Sequence, residues 1–383
     1  MLKKGKVIVP GMSLLELKGF NYQKVAKAIV VDALGIGEGE NVIVETWNHG
    51  LDLAREVIYL LRQKGANPML LIEDEEAYWR TVTTIPESIG RVGSHEWNAL
   101  AKTDAYIFIR GPVDSAQNRG LDPTKVYRAN AYNDEWYERA YKAGVRGVRV
   151  DLAFVTPGRA KQMGYNYTKW GKMMTDAASA DLSLVKKMSE KLGKLLSGNG
   201  RAEVTASNGT NLSFKLRGAK PLFEIGVLTK DDLNDKARDY SNMTTFPGGR
   251  VLVLTDEKSA KGKVSFDGKA FLYGRLVEDL TWTFKNGKLA SYTGGKNVEV
   301  FDSRYKESRG DKDRIGWLAI GVNPKMSYGF MNEGFVEGAV TIGIGWGGEE
   351  TRNKTSFFCS STLFAADLTI GGKKVIKAGK IQI

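Results

Sequence analysis

Around Gly198-Asn199-Gly200 the sequence changes texture, and that change constrains the fold more than any other feature. Before it, short apolar runs alternate with helical spacings. Val25, Ile29 and Val30 share a helical face that ends at Gly35. The turn Gly37-Glu38-Gly39-Glu40 follows, and then the buried-strand run Val42-Ile43-Val44. Leu53, Val57, Leu60 and Leu61 recur at helical spacing up to Gly65, a residue suited to a C-cap. Pro68 leads into a strand over Met69 to Ile72, and further strands are predicted at Ala105 to Ile109 and Val145 to Leu152. Such alternation implies a mostly parallel sheet covered on both faces. One long helical region, from about Tyr167 to Leu196, then bridges to the second half.

Beyond the glycines, strands joined by tight turns dominate. Asn208-Gly209 separates Glu203-Val204-Thr205 from Leu212-Ser213-Phe214, and Asn286-Gly287 separates Leu280–Phe284 from Lys288–Tyr292. Asn-Gly favours the type I′ hairpin turn, because both central residues need positive φ. Further strands are predicted at Val251–Leu254, Val298–Phe301, Val340–Ile344 and Leu368–Ile370. The predicted fold class is an α/β N-terminal domain with a mostly parallel sheet, plus a β-rich α+β C-terminal domain. The predicted boundaries are residues 1–165 for the α/β domain, 166–200 for the bridging helix and 201–383 for the β-rich domain. A length of 383 residues suits two domains.

The net charge of +12 would favour acidic partners. The basic residues are interspersed rather than gathered into one stripe, so nucleic acid is only weakly supported as a partner. Aromatic–basic neighbours such as Tyr127-Arg128 and Tyr305-Lys306 add little, since aromatic residues are equally needed to pack so many strands. No apolar core follows the lysines of Met1 to Lys6, and no apolar run approaches the ~18 residues of a membrane span. The expectation is a cytoplasmic protein.

The chemical inventory is thin. One cysteine, Cys359, excludes an internal disulfide and a Cys₄ zinc site, and its apolar surroundings suit a buried, inert thiol. The two histidines, His49 and His95, both precede residue 100. His49 lies between a strand end and a helix start, where parallel sheets host sites, but a surface or helix N-terminal residue is the plainer reading. His95 reads the same way. Gly35 to Gly39 lies after a helix and before a strand, the reverse of a phosphate-binding order. Gly343 to Gly348 is followed by Glu349 and Glu350, which would repel a phosphate. Asp302, Asp311, Asp313, Glu333, Glu337, Glu349 and Glu350 suit hard cations by type, but their spacing matches no known loop.

Several stretches carry a resemblance. They include Gly37 to Val44, Lys64-Gly65-Ala66-Asn67-Pro68, Gly120-Leu121-Asp122-Pro123 and Asn208 to Phe214. The most specific are Pro247-Gly248-Gly249-Arg250-Val251 and Arg314-Ile315-Gly316-Trp317 through Pro324. In these the chain resembles the aminopeptidase T / aminopeptidase S family of metallopeptidases. The resemblance implies a homodimer and two metal ions that activate water against the first peptide bond. It also implies metal ligands at set places, and this chain departs from four of them. Arg250 stands where the family has a glutamate after the Pro-x-Gly turn, and Trp317 stands where a second glutamate follows Ile-Gly. Thr341 falls on the strand that should open with a histidine, and Phe357 to Ser361 offers no His or Asp. Glu333 corresponds to a family acid.

Three readings follow from this. The first is an aminopeptidase-like protein that has lost dimetal activity, takes no cofactor, and retains a binding or structural role. Its ligand-binding cleft would be lined by Arg250, Trp317, Glu333 and Thr341 and would accept a peptide or a small anion. No catalytic and no metal-ligating residue is assigned. The second is a metal-dependent hydrolase with a divalent cation on carboxylates. The third is an assembly-forming or nucleic-acid-binding protein, with the basic, apolar run Lys373 to Ile383 as a strand that could pair with a neighbour.

Overall fold

The computed structural model describes residues 21–88, 92–114, 132–228, 242–272, 274–346 and 352–383. Met1 to Lys6, Gly120 to Pro123, Tyr127-Arg128 and Gly347 to Glu350 lie outside the described residues.

The N-terminal strands are β1 (Asn41–Trp47), β2 (Asn67–Glu73), β3 (Ala105–Ile109) and β4 (Arg146–Val150). The chain then runs through β5 (Arg201–Thr205), β6 (Asn211–Lys215), β7 (Leu222–Glu224), β8 (Met243–Phe246) and β9 (Arg250–Leu254). Next come β10 (Lys261–Ser265), β11 (Ala270–Leu272), β12 (Arg275–Val277), β13 (Thr281–Lys285) and β14 (Lys288–Thr293). The last are β15 (Ile315–Gly321), β16 (Val340–Gly345), β17 (Phe358–Leu363), β18 (Asp367–Ile370), β19 (Lys373–Lys377) and β20 (Lys380–Ile381).

The first sheet is parallel throughout, in the order β2-β1-β3-β4-β8. Helix α1 (Tyr22–Lys27) opens the described chain and α2 (Leu51–Gln63) follows β1. The α2 residues Leu53, Val57 and Leu61 are buried in one cluster with Val42 and Val44 of β1. The opposite face packs Ile43 and Tyr106 against Trp136 and Ala140 of a later helix, Tyr132–Lys142. With both faces covered, Val42-Ile43-Val44 of β1 and Ala105 to Ile109 of β3 read as apolar runs rather than alternations, whereas β4 carries Arg146 and Arg149 among its valines. The fifth strand, β8, comes from the second half of the sequence, so the two halves share a sheet.

The second half forms an eight-stranded sheet, β14-β13-β10-β6-β5-β18-β19-β20, and a five-stranded one, β17-β16-β15-β9-β7. Every pairing in both is antiparallel. They close on one core that contains Phe214, Trp282, Phe284, Leu318 and Ile342. Asn286 and Gly287 have φ of 51° and 74°, as the hairpin turn requires. The C-terminal run becomes β19 and β20, with Val375 and Ile376 buried. The α/β half with its parallel sheet and the β-rich second half are therefore both present. Among the described residues no helix is long and apolar enough to cross a membrane.

Three details differ from the sequence reading. The bridging helix is two helices, Tyr167–Ala178 and Leu182–Leu196. The break falls where the Asp181 carboxylate accepts the backbone N–H groups of Ser183 and Leu184, an N-cap that restarts the helix. Val298 to Phe301 is no strand but the start of a helix, Val298–Glu307. The β-branched valines there favour a strand, yet Phe301 and Tyr305, four residues apart, stack with ring centroids 5.6 Å apart beside the core. Packing overrides the local preference. Finally, His49 is buried at 5% exposure, not at the surface, whereas His95 is exposed.

Two polar features of the parallel sheet, one buried and one partly so, generate predictions. Arg146 is 2% exposed; its Nη2 pairs with Glu40 at 2.5 Å and its Nε donates to the Leu34 carbonyl at 3.0 Å. Removing the guanidinium strips the counter-charge from the buried Glu40 carboxylate and a donor from the Leu34 carbonyl, so Arg146→Met is expected to lower unfolding free energy by about 3–5 kcal/mol in a urea titration. The second feature is a pair of opposed titrations. Burial lowers the pKa of His49 from 6.5 to about 4, although its Nε2 lies 3.2 Å from the Ala153 carbonyl. Burial raises that of Glu45 from 4.5 to about 7, against the lowering effect of a hydrogen bond from the Tyr106 hydroxyl. The His49 contribution to stability is present above pH 6.5 and lost as pH falls toward 4. That of Glu45 is present below pH 4.5 and lost as pH rises through 7. Over pH 4.5 to 6.5 each changes by about 2 kcal/mol with opposite sign. Glu45→Gln should therefore gain about 2 kcal/mol relative to the parent between pH 4.5 and 6.5, measured by urea unfolding at both values.

Candidate functional site

The five-stranded sheet has one face in the main core and one turned outward. Val251, Val253, Leu318, Ile320, Ile342 and Cys359 point inward. The alternation of a strand then sends Arg250, Trp317, Thr341 and Ser360 to the outer face. Register brings them together: Gly321 lies opposite Arg250, Trp317 opposite Gly343, and Ala319 opposite Thr341, which lies opposite Thr362. Residues far apart in the sequence thus share one surface.

Arg250 opens β9 directly after the turn Pro247-Gly248-Gly249. Asn323 fixes that turn, since its Nδ2 donates to the Gly248 carbonyl at 2.8 Å. The Gly249 N–H donates to the Glu224 carbonyl at 2.7 Å, and a Cβ at Gly249 would collide with Asn323. The Arg250 Nε donates to the Glu224 carboxylate. The guanidinium lies over the rings of Phe335, at 5.1 Å, and Trp317, at 5.6 Å. A second guanidinium approaches from the parallel sheet: Arg149 Nη2 lies 3.6 Å from the other Glu224 oxygen and donates to Thr245 Oγ1 at 3.2 Å. Burial alone would push the Glu224 carboxyl up, but Arg250 and Arg149 outweigh it and hold the group below the usual carboxylate range. Burial likewise works against the Arg149 charge, and Tyr137, Glu224 and Asp151 outweigh it.

Trp317 is 2% exposed. It stacks on Phe358 at 6.1 Å with a 20° tilt, and it lies across Gly343, where any Cβ would run into the indole. Thr341 is buried, its Oγ1 2.9 Å from that of Thr362, with Gly334 pressed against it. Glu333 does not join Arg250. It accepts the backbone N–H of Gly329 at 2.9 Å and of Lys269 at 3.2 Å, and burial raises its pKa. Of the four residues read from the sequence, Arg250 and Trp317 are in contact, Thr341 lies further along the same face, and Glu333 braces the loop beside it. Glu224, Arg149 and Phe335 were missed. Glu224 sits in the unmarked segment Pro221 to Ile225, and only the β7–β9 pairing, with Glu224 opposite Arg250, identifies it.

The other sequence candidates lie elsewhere. Cys359 is fully buried on the core side, and burial pushes its thiol far up. Asp311 is engaged by Arg314 and the Lys354 N–H, and Asp313 lies 3.7 Å from Lys288. Among the described residues, no three His, Cys, Asp or Glu side chains gather where they could hold a metal.

A family model described as Thermophilic metalloprotease (M29) matches residues 20–347. Among solved structures, the chain is similar to wild-type AmpT from Thermus thermophilus, at 15% identity and a TM-score of 0.71. That alignment covers 94% of this chain and 99% of the other. It is also similar to 2,5-dihydroxypyridine dioxygenase from Pseudomonas putida KT2440, at 13% identity and a TM-score of 0.62, covering 94% and 96%. At such identities the likeness shows the fold. No curated protein matches.

The family match corrects one expectation from the sequence. The chain was read as taking no cofactor, but a metalloprotease family points to a metal cofactor. The outer face of the five-stranded sheet does not fit one. A guanidinium stands there beside an indole and two hydroxyls, and its nearest carboxylate, Glu224, is held between two arginines. A dication would be repelled by the guanidinium groups and find no adequate donor set among the described residues. With the family model spanning residues 20–347, the chain belongs to the thermophilic metalloprotease (M29) family.

Proposed function

We propose that this chain is an aminopeptidase-like protein that has given up dimetal hydrolysis and binds a peptide through its terminal carboxylate. The observation that carries this reading is Arg250, packed against Trp317 and Phe335 and tethered to Glu224. Two arginines against one glutamate leave an excess positive charge, and the arginine side chains are each about one-quarter exposed. Guanidinium groups prefer carboxylates, which accept their planar, paired donors. In this reading Arg250 and Arg149 meet the carboxylate and Trp317 forms an apolar wall. Glu333 and Thr341 hold the surrounding backbone. Glu224 is a poor general base here, because Arg250 and Arg149 hold its pKa below the usual carboxylate range.

The test is isothermal titration of the full chain with a short peptide as the free acid and as its C-terminal amide. The free acid should bind at least roughly tenfold more tightly, the worth of one charge-assisted hydrogen bond. Arg250→Ala should erase that preference. Equal affinity for acid and amide, or a preference that survives in Arg250→Ala, would contradict the reading.

A further inference from the structure

The eight-stranded sheet keeps one face in the core and turns the other outward. Ala202, Leu212, Phe214, Val264, Phe284 and Leu289 point into the core. Alternation therefore sends Arg201, Lys215, Lys261, Lys263, Lys285 and Lys288 outward, and all of them are exposed. These cations are scattered along the sequence, and strand pairing gathers them. Lys285 lies opposite Lys288 across the β13–β14 hairpin, and Lys215 lies opposite Arg201 across β6 and β5. Phe284 lies opposite Gly262, which sets Lys285 beside Lys261, and Lys261 lies opposite Ser213, close to Lys215 on β6. A row of cations thus crosses β14, β13, β10, β6 and β5 at one end of the sheet, with Lys263 behind it. Like charges directly opposite one another destabilise a sheet. Little offsets them here. Glu203 lies 3.4 Å from Arg201 and Asp313 lies 3.7 Å from Lys288, at the two ends of the row. Lys215, Lys261, Lys263 and Lys285 form no ion pair among the described residues.

We infer that this face binds the phosphate backbone of a nucleic-acid duplex, without regard to base sequence. The row spans successive strand spacings of about 4.8 Å, hence about 19 Å in all, a length over which one strand of a duplex presents roughly five or six phosphates. Between and beside the cations stand Asn211, Ser213, Ser265, Thr281 and Thr283, the neutral amide and hydroxyl types that also donate to phosphate oxygens. None of the outward residues of these strands is aromatic, so the face lacks the stacking platform of a single-strand binder. No large apolar side chain stands among them, so nothing there would enter a bilayer. The face belongs to a different sheet from Arg250 and is independent of the peptide reading.

Fluorescence anisotropy of the full chain with a labelled DNA duplex of about 20 base pairs tests this. Binding should reach micromolar affinity in about 50 mM salt, hold for an unrelated sequence, and weaken with salt at a log–log slope of about −4. The double variant Lys215→Glu/Lys261→Glu should lose at least roughly tenfold in affinity. It turns like-charge contacts into opposite-charge ones, so it should unfold at no lower urea concentration than the parent, which separates lost binding from lost folding. Lys186→Glu/Lys187→Glu makes the same charge change at exposed positions of the helix Leu182–Leu196 and should bind within about twofold of the parent. Absence of binding in about 50 mM salt, tighter binding to phosphatidylserine vesicles than to the duplex, or an equal loss in both double variants would overturn the assignment.

Discussion

One carboxylate between two guanidinium groups ties this molecule together. Glu224 receives Arg250 from its own antiparallel sheet and Arg149 from the parallel sheet, so an ion cluster joins the two sheets where β8 and β9 connect them. The short connection β8–Pro247–Gly248–Gly249–β9 makes the meeting possible, since β8 belongs to the parallel sheet and β9 to the antiparallel one. Asn323 secures that connection from the end of β15, and the alternation along β9 then decides what faces outward. Burying three charged groups together is costly in isolation. Here the cost is contained because each group is partly solvated and each oxygen of Glu224 has a cation.

The same cluster separates fold from reaction. The chain shares its fold with an aminopeptidase and with a dioxygenase, at TM-scores of 0.71 and 0.62. A fold that hosts both does not choose between chemistries; the side chains on the outer face do. Family membership points to a metal, while the guanidinium, indole and hydroxyl groups of that face are poor company for one. Both statements concern the same surface, and the tension between them is its main feature.

Much of the fold was legible in the sequence because local signals and packing agree there. The runs Val42 to Val44 and Ala105 to Ile109 are strands buried on both faces, and Asn286-Gly287 could hardly be anything but a turn. Local and global preferences part at Val298, where valines suggest a strand but Phe301 and Tyr305 pack as a helix face. The site was half legible. Arg250 and Trp317 stood out because they break a motif. Glu224 and Phe335 break nothing, and their roles arise only from strand pairing and from a loop folding over the sheet. Glu333 lies beside the face, with its carboxylate accepting from the backbone of Gly329 and Lys269.

The most direct measurement is turnover of an aminoacyl-anilide by the full chain, incubated in turn with zinc, cobalt and manganese, with bound metal quantified on the same samples. The account predicts no release of the anilide above the buffer rate under any of the three metals. Release that scales with protein, vanishes with chelator and accompanies stoichiometric metal would contradict it.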